Sequence, residues 1–390
     1  MIKIGIECES IEDQSWGVGR IINKLLEEIS HRPELKSEFK FFLYFKSKVP
    51  DYSYLKNDIF VKKIVSVPWL PKSFSLYYYV FLPIKLWFEK LDVMFFPNYM
   101  LPIIFSGKSI VILTEDVYYE ARGNLPFQYR LAYRIFPVWA AKHATRVMVI
   151  SETSKKNVAE LFKILESRIF VNQLAVDPVR TDGRGARPTS NGTSPPGDYI
   201  LYVGQAFPRR HLHETILAFK KLVPKFPDLY LIAIGADKYN PPIIKELVGQ
   251  INKQLGREAI VHKDYVHDEE LYELYRNAKC LVYVSSREAF GLPPLEALAY
   301  GAIPVVAEDK LTREIFGDNA FFVEPHLATD GAGVKEFFSV DSIVSAINDC
   351  LTNENKRKST LENAPAILSK YTWSAHTDRF LKLIREVTNE

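Results

Sequence analysis

Cysteine is scarce in this 390-residue sequence, and neither sign of charge dominates it. The three cysteines, Cys8, Cys280 and Cys350, form neither a metal-ligand spacing nor an even disulfide framework, so we expect a reducing compartment. The 50 Lys and Arg residues nearly balance the 47 Asp and Glu residues, which gives a formal net charge of +3. So small an excess argues against binding to nucleic acid through counterion release.

Long hydrophobic runs are also missing. The most apolar stretch, residues 74–88, is interrupted by Pro83 and Lys85 and falls short of the about 20 apolar residues that a membrane-spanning helix needs. The first residues, MIKIGIE, carry no charged region followed by an apolar core, so they predict no secretory signal. We expect a cytoplasmic protein, either free or at the inner face of the membrane.

Aromatic residues, by contrast, are abundant, since 25 Phe, 21 Tyr and 5 Trp make up 13% of the chain. Many fall in residues 69–88, interspersed with Lys72, Lys85 and Lys90. Packing in a core explains such a segment, and so does contact with a membrane interface; the sequence leaves both open. The aromatic residues concerned are Trp69, Phe74, Tyr77, Tyr78, Tyr79, Phe81, Trp87 and Phe88.

The chain divides into two halves in which short apolar strands alternate with helices. Its length allows two domains. Residues 177–198, rich in Gly, Pro, Ser and Thr, predict a linker or mobile loop between a first domain at 1–176 and a second at 199–371. A final amphipathic helix is predicted within 372–390. The alternation predicts an α/β fold with two parallel sheets covered on both faces.

Strands are predicted where β-branched and aromatic residues form short runs. In the first half these runs are 2–6, 41–45, 60–65, 93–96, 109–113 and 146–150. In the second half they are 199–203, 229–234, 260–261, 280–284, 303–307 and 320–323.

The most informative stretch, residues 285–301, reads SSREAFGLPPLEALAYG. It follows a predicted strand, and its Gly291 permits a tight turn before a helix that two prolines begin. The backbone amides near Phe290, Gly291 and Leu292 would lie at the positive end of that helix, beyond a strand, where α/β sheets bind phosphate groups. An ordinary capped helix start explains the local pattern equally well.

Two glutamates bracket this anion site. Glu288 lies in the loop, where it can accept hydrogen bonds from ligand hydroxyls, and Glu296 is expected in the first helical turn, where it suits a ribose diol. The pair resembles the Glu-x7-Glu motif of retaining GT-B glycosyltransferases. The resemblance is strongest to glycosyltransferase family 4 (group 1), which contains bacterial mannosyltransferases that build surface polysaccharides. Ala289 departs from this family, which usually has glycine there.

The resemblance covers nearly the whole chain. It implies a GT-B fold, in which two Rossmann-like domains face a central cleft and the C-terminal helix packs back on the first domain. The first domain would bind the acceptor and the second the nucleotide-sugar. The stretch around Val266 resembles the loop that borders the nucleobase in this family, although a helix cap by Asp268 explains it equally well.

The second domain also resembles the family where it would hold the donor diphosphate. Gly204, Arg209 and Arg210 match the family's strand end and basic turn. Arg210 takes the place of the usual lysine and would stabilise the departing diphosphate. Gln205 stands where many relatives have arginine, so one phosphate contact would be absent. The alternative is a basic turn that is simply solvated.

In the first domain, Gly17 and Gly19 resemble the glycine loop that faces the diphosphate and the acceptor, although a simple strand-to-helix turn is nearly as good an explanation. Asn98 matches the family's proline-asparagine loop. Where relatives have histidine-aspartate near the donor sugar, this chain has Glu115 and Asp116. We therefore group Asn98, Glu115 and Asp116 as contacts to the acceptor or the sugar, with a polar strand end as the alternative for Glu115.

The resemblance implies transfer of a sugar, with retention, from a nucleotide-sugar to a glycan or lipid-linked saccharide. GDP-mannose is the expected donor, and UDP or dTDP donors carrying glucose, galactose or rhamnose stay open. Glu288 would orient the sugar, Arg210 would stabilise the leaving group, and the donor's own phosphate oxygen would take the acceptor proton. No Asp-x-Asp motif stands at a predicted strand end, so neither a metal nor another cofactor is expected.

Other classes of protein stay open. One is a nucleotide-sugar-binding protein without catalysis, and another is a different GT-B enzyme, such as an epimerase or a phosphorylase. A phosphorylase needs a pyridoxal-phosphate lysine and a longer chain. The expected partners are the nucleotide-sugar, the saccharide acceptor and, through residues 69–88, a membrane surface.

Overall fold

Two compact units make up the chain. The computed structural model describes residues 1–12, 17–66, 73–116, 127–177, 197–330 and 333–390. One unit consists of Met1–Ala175 together with Tyr371–Glu390, and the other consists of Val176–Lys370. Of the linker predicted at 177–198, only residues 177, 197 and 198 lie in the described part of the chain.

The first unit is built on a seven-stranded parallel sheet. Its strands are β1 (Ile2–Glu7), β2 (Phe39–Phe45), β3 (Phe60–Ile64), β4 (Val93–Phe96), β5 (Ser109–Ile112), β6 (Arg146–Val149) and β7 (Ile169–Val171). They lie in the order β3-β2-β1-β4-β5-β6-β7. All residues of β4 and β5 are buried, as expected of central strands in a sheet with both faces covered.

In the part of the chain that the structure describes, four α-helical segments of the first unit lie before Ala175. They are α1 (Val18–Ser30), α2, α3 (Phe127–His143) and α4 (Glu152–Phe162). Segment α2 comprises Phe74–Leu76, a π-helical turn at Tyr77–Phe81, and Leu82–Trp87. The buried face of α1 carries the apolar residues whose helical spacing the sequence displays, namely Ile21, Ile22, Leu25, Leu26 and Ile29.

The second unit has a six-stranded parallel sheet in the order β10-β9-β8-β11-β12-β13. The strands are β8 (Tyr199–Val203), β9 (Tyr230–Ile234), β10 (Ile260–Lys263), β11 (Cys280–Tyr283), β12 (Ile303–Ala307) and β13 (Phe321–Val323). A separate antiparallel pair follows, β14 (His326–Asp330) and β15 (Gly333–Phe337). The helices are α5 (Leu212–Leu222), α6 (Ile244–Leu255), α7 (Asp268–Asn277), α8 (Leu292–Ala299), α9 (Lys310–Phe316), α10 (Val340–Thr352) and α11 (Glu354–Leu368).

The last helix, α12 (Trp373–Asn389), returns to the first unit. Its Phe380 ring lies 5.0 Å from the Phe95 ring of β4, measured between centroids. Phe380, Leu383, Ile384 and Val387 are buried in the core that also holds β1 and β2. The packing of the C-terminal helix on the first domain is thereby confirmed.

Every predicted strand is confirmed to within two residues at either end. Strand β7 was not predicted. The hairpin of β14 and β15 was also not predicted. The two parallel sheets of the predicted α/β fold class are confirmed.

The aromatic segment divides between core and surface. Trp69 lies outside the described residues. Tyr77 and Tyr78 are buried, so core packing accounts for them. Trp87 and Phe88, by contrast, are 81% and 84% exposed. Within the described parts of the chain, no helix is both long and apolar enough to cross a membrane.

Candidate active site

The sheet of the second unit has a switch point between β8 and β11. Strand β8 lies between β9 and β11, so the strands that follow it are added on opposite sides. Parallel α/β sheets bind ligands beyond the carboxyl ends of their strands at such a point. Arg210 follows β8 and Glu288 follows β11, which places both residues at this edge.

Arg210 and Glu288 form a two-pronged ion pair. Arg210 Nε donates to Glu288 Oε1 at 2.7 Å, and Arg210 Nη2 donates to Glu288 Oε2 at 3.3 Å. Ser285 Oγ donates to Glu288 Oε1 at 3.1 Å. Burial alone lowers the pKa of Arg210, but the neighbouring Tyr283 and Glu288 raise it above its usual value. Arg210 is therefore a fixed cation whose main partner is a carboxylate.

The basic turn and the acidic loop are also joined directly. Ser286 N donates to Arg209 O at 2.8 Å, and His211 Nε2 lies 2.6 Å from Ser286 Oγ. His211 has a φ of +48°, a left-handed conformation that ends the turn Pro208–Arg210 and leads into α5. These contacts hold the two segments together, and the sequence did not single out His211 or Ser286.

Helix α8 begins without a side-chain cap. Its N-cap is Gly291, with a φ of +80° that a residue with a side chain rarely adopts. The helix begins at Leu292, one residue before the prolines, so Glu296 lies in the second turn. The expectation that Glu296 lies in the first turn is wrong. Glu296 is buried and accepts a hydrogen bond from Tyr275 Oη at 3.2 Å.

A small cavity lies beside Glu288. Asp309 also lines this cavity. Its pKa is raised, mainly because the carboxyl group is buried and in addition because Glu288 is negatively charged. Three of the predicted donor residues, Glu288, Phe290 and Gly291, line this cavity. Leu292 is the next residue in the chain after Gly291. The lining residues include Tyr283, Ser285, Glu288, Phe290, Gly291 and Asp309.

The predicted donor residues Gly204, Arg209 and Val266 each lie in a different environment. A Cβ built on Gly204 would lie 3.1 Å from Arg210 Nη1, so Gly204 borders the basic turn. Arg209 places its guanidinium over the Phe207 ring, 4.7 Å from the centroid. Val266 is buried in an apolar cluster. The N-cap of α7 is His267 rather than Asp268, so the alternative of a cap by Asp268 is wrong.

The first unit has a switch point of its own, where β1 lies between β2 and β4. Glu7 ends β1 and is fully buried. Glu7 Oε1 accepts from Tyr77 Oη at 2.9 Å and from Glu9 N at 2.8 Å, and Oε2 accepts from Asn98 Nδ2 at 2.6 Å. Glu7 is not among the site residues predicted from the sequence. An acidic residue at the end of an apolar strand was the signal that could have found it.

Burial is the main reason why the pKa of Glu7 is raised from 4.5 to about 8. The negative charges of Glu9 and Glu12 raise it further. The hydrogen bonds from Glu9 N and Tyr77 lower it, but by less. Glu7 therefore carries a proton at neutral pH.

The remaining predicted residues of the first unit are not gathered in one cluster. Glu115 is buried, and its two carboxylate oxygens accept from Ser154 Oγ at 2.7 Å and Asn157 Nδ2 at 3.0 Å. These bonds tie Glu115 to α4, and they support the structural reading of this residue. Asp116, the next residue, is half-buried.

The two glycines of the first unit lie at the start of α1. Gly17 is exposed and has a φ of +72° as the N-cap of α1, and Gly19 is buried in the first turn. Residues 13–16, directly before Gly17, lie outside the described part of the chain. Among the described residues, no three His, Cys, Asp or Glu side chains are grouped so that they could hold a metal ion.

The fold is that of GT-B glycosyltransferases. The chain is similar to WaaG, a glycosyltransferase involved in lipopolysaccharide biosynthesis, with a TM-score of 0.69 and 16% identity over 98% of this chain and 99% of that one. It is also similar to Anabaena Alr3699/HepE in complex with UDP-glucose, with a TM-score of 0.67 and 15% identity over 99% of this chain and 100% of that one.

The region that matches a family model lies within the second unit. Residues 187–366 match the model of the family "Glycosyl transferases group 1", the family that the Glu288 motif resembles. The O-antigen chain mannosyltransferase B of Escherichia coli is 27% identical over 59% of this chain and 58% of its own length. The mannosyltransferase WbdA of Escherichia coli is 23% identical over 60% of this chain. The match spans only 28% of WbdA and under two thirds of mannosyltransferase B.

Proposed function

We propose that this protein is a retaining glycosyltransferase that transfers mannose from GDP-mannose to a glycan or lipid-linked saccharide in surface polysaccharide synthesis. The observation that carries the proposal is the Arg210–Glu288 pair beside the start of α8, within a group 1 glycosyltransferase domain. The choice of mannose is supported by the names of the curated relatives, which include O-antigen chain mannosyltransferases of Escherichia coli and Salmonella typhimurium.

The donor diphosphate would bind Arg210 and the backbone amides at the start of α8. A guanidinium and a helix N-terminus are both favourable partners for phosphate oxygens. In the structure, Glu288 already accepts two hydrogen bonds from Arg210. The diphosphate therefore competes with Glu288 for the same cation, and a displaced Glu288 can accept hydrogen bonds from the hydroxyls of the sugar.

The transfer requires no nucleophilic side chain of the protein. The bond between the anomeric carbon and the diphosphate oxygen breaks, and the acceptor oxygen bonds to the same face of that carbon. The acceptor proton moves to an oxygen of the departing diphosphate. Arg210 and the start of α8 stabilise the negative charge that develops there, which is work that a metal ion does in other transferases. The proposal therefore includes no metal or other cofactor.

A second candidate function uses a UDP-linked donor, because HepE, which shares the fold, was solved with UDP-glucose. Thermal shift with GDP, UDP and dTDP separates the candidates. We expect the largest stabilisation from GDP. A larger effect of UDP would replace mannose by a UDP-sugar, and no effect of any nucleotide would refute the donor site.

A matched pair of variants tests where the nucleotide binds. Arg210→Ala should weaken GDP binding at least tenfold in calorimetry, because it removes a charged partner of the diphosphate. Lys221→Ala is the control, since Lys221 is an exposed cation that pairs with Asp341 on the same unit. Binding of GDP without turnover of GDP-mannose in the presence of any saccharide acceptor would favour the non-catalytic binding protein instead.

We further propose that an exposed apolar face of the first unit contacts the membrane. Tyr79 of α2 stacks on Phe136 of α3 at 4.4 Å between ring centroids, and Tyr78 Oη donates to Met100 O at 2.7 Å. These contacts bring α2, α3 and the loop after β4 side by side. Their exposed large hydrophobic residues are Val80, Ile84, Trp87, Phe88, Ile103, Ile104, Leu131 and Ile135.

The chemistry of this face suits an anionic membrane. Trp87 and Phe88 can enter the headgroup region, while Lys85 and Lys90 on the same segment attract anionic lipids. The double variant Trp87→Ser/Phe88→Ser should lose most co-sedimentation with vesicles of phosphatidylethanolamine and phosphatidylglycerol. Leu165→Ser is the control, since Leu165 is 71% exposed elsewhere on the same unit. Equal binding by both variants would refute membrane contact through this face.

A further inference from the structure

The small cavity beside Glu288 has a second acidic residue in its lining. Asp309, which follows β12, lines the same cavity as Glu288, which follows β11. Strands β11 and β12 are neighbours in the parallel sheet, so their carboxyl ends bring the two acidic residues to one edge. The negative charge of Glu288 is one of the causes that raise the pKa of Asp309, so the two carboxyl groups lie within electrostatic reach of each other.

Asp309 is held in place by the start of α9. Its Oδ1 accepts from Thr312 N at 2.7 Å, and its own N donates to Thr312 Oγ1 at 3.2 Å. This reciprocal capping box restricts rotation of the Asp309 side chain. A carboxylate offers about four acceptor positions, so Asp309 can accept a further hydrogen bond from a ligand while it caps the helix.

The charge of the lining favours a group that donates hydrogen bonds. Among the described residues that line the cavity, none is Lys, Arg or His. The nearby Arg210 pairs with Glu288. Two carboxylates without a basic side chain in the lining repel phosphate oxygens. The diphosphate therefore belongs on the side of Arg210 and the start of α8, whereas the cavity suits a neutral donor such as a hydroxyl group.

The size of the cavity limits that group to a single hydroxyl. Its volume is about 20 Å³, which is room for about one group of the size of a water molecule. Glu288, Gly291 and Asp309 are only half-buried, so the cavity can be reached from the surface, and Phe290 and Leu311 form part of its apolar lining. A hydroxyl group fits this space, and an acetamido group is too large for it.

We propose that Asp309 determines sugar specificity by accepting a hydrogen bond from one hydroxyl of the donor sugar, while Glu288 accepts from a neighbouring hydroxyl. This inference rests on the proposed function, in which the sugar lies beside Glu288. A sugar that lacks the first hydroxyl leaves the half-buried Asp309 without a partner and is therefore rejected. The substrate class is a nucleotide-linked hexose with a free hydroxyl at the position that enters the cavity, where neither a deoxy nor an acetamido sugar is accepted.

Asp309→Ser tests the proposal while keeping the helix cap, because serine is as good an N-cap as aspartate but has no carboxylate. Calorimetry compares GDP with GDP-mannose, or UDP with UDP-glucose if UDP is the nucleotide that stabilises the protein. The affinity for the nucleotide-sugar should fall about tenfold, whereas the affinity for the free nucleotide should change less than about twofold. An equal change for the two ligands, or no change for either, would overturn the proposal.

Ser339→Ala is the matched control for an effect on the helix cap. Ser339 caps α10 of the same unit by accepting from Ser342 N at 3.0 Å, and it does not line the cavity. Loss of this cap should leave the affinities for the nucleotide and the nucleotide-sugar as they are in the natural protein. A loss of nucleotide-sugar affinity equal to that of Asp309→Ser would assign the effect to destabilisation of the unit and refute the sugar contact.

Deoxy donors identify the hydroxyl through a readout that a merely structural role would not change. The probes are derivatives of the same nucleotide-sugar that lack the hydroxyl at C2, C3, C4 or C6. For one of them the natural protein and Asp309→Ser should bind with the same affinity to within about twofold, because the partner of Asp309 is already missing. For the others the difference of about tenfold should remain. A difference that remains with every derivative would refute the proposal.

Failure of this inference is distinguishable from failure of the proposed function. If neither GDP nor UDP binds the natural protein, the donor site itself is refuted, and the role of Asp309 with it. If a nucleotide binds and Asp309→Ser loses no affinity for the nucleotide-sugar, the donor site stands and the role of Asp309 alone is refuted.

Discussion

The carbonyl oxygen of Gly204 lies so near Gly235 that a Cβ built on Gly235 would stand 2.0 Å from it. Gly204 N also donates to Ile234 O at 2.8 Å, so β8 and β9 end in direct backbone contact. Gly235 has a φ of +138°, which residues with a side chain rarely adopt. The turn that carries Arg210 begins a few residues after this contact, so the contact helps to place Arg210.

Gly235→Ala should therefore destabilise the second unit strongly. We expect the free energy of unfolding to fall by about 3 kcal/mol or more, because the added methyl group must displace backbone atoms and the φ value is strained. Urea unfolding of the full chain measures the loss. Gly256→Ala is the control, since its φ of +67° is also positive but its Cβ meets nothing within 4 Å. Equal losses in the two variants would contradict the close approach as the cause.

Glu288→Ala should separate nucleotide binding from transfer. Removing Glu288 leaves the half-buried Arg210 without its carboxylate, and a diphosphate can then take both of the vacated hydrogen bonds. We expect GDP to bind about fivefold tighter, equivalent to about 1 kcal/mol, and the transfer rate to fall about 100-fold. Calorimetry and a radiolabelled transfer assay measure the two effects. Weaker GDP binding together with undiminished transfer would contradict both assigned roles.

His376 should make the stability depend on pH in the acid range. This residue of α12 is fully buried, and burial lowers its pKa from 6.5 to about 4. Between these values only the unfolded chain binds the proton, so stability falls as the pH falls from 6.5 to 4, by about 3 kcal/mol. Urea unfolding across this range should show a smaller decline in His376→Gln. The surface variant His31→Gln should retain the full decline, and an equal decline in both variants would exclude His376 as its source.

Glu7 should make the stability depend on pH in the opposite sense, so that the stability falls as the pH rises. Its pKa is raised from 4.5 to about 8, so between these values only the folded chain holds the proton. The contribution of Glu7 to the free energy of unfolding is largest below pH 4.5 and is lost as the pH rises to 8. The total change is on the order of 5 kcal/mol. In urea unfolding at pH 5, 6.5 and 8, the free energy of unfolding of Glu7→Gln relative to that of the natural protein should increase with rising pH. The exposed control Glu34→Gln should not, and a constant difference at all three pH values would contradict the raised pKa.

The sequence predicted the parts of the fold that depend on local pattern. Strands such as 93–96 and 303–307 are unbroken apolar runs, and such runs form the buried strands of parallel sheets whatever their neighbours are. The loop with Glu288 and the start of α8 is likewise a local feature of glycine and proline. Only the exact start of the helix was misplaced, and this moved Glu296 by one turn.

The hydrogen-bonded environment of Glu7 could not be predicted in this way, because it is made of residues far away in the chain. Tyr77 is 70 residues later and Asn98 is 91 residues later, and only the sheet order brings them together. The same holds for His376, whose Nδ1 lies 2.9 Å from Gln173 O across 203 residues. The raised pKa of Glu7 and the lowered pKa of His376 follow from burial that no local pattern encodes.

The return of α12 to the first unit has a consequence for biosynthesis. The core that holds β1 and β4 also contains Phe380 and Leu383, which the ribosome adds more than 280 residues after β4. The first unit therefore lacks part of its core while the second unit is being made, and that unit can complete its own core earlier. A nascent chain arrested before α12 leaves apolar residues of β1 and α1 without the helix that covers them in the folded unit, and exposed apolar surface of this kind favours aggregation.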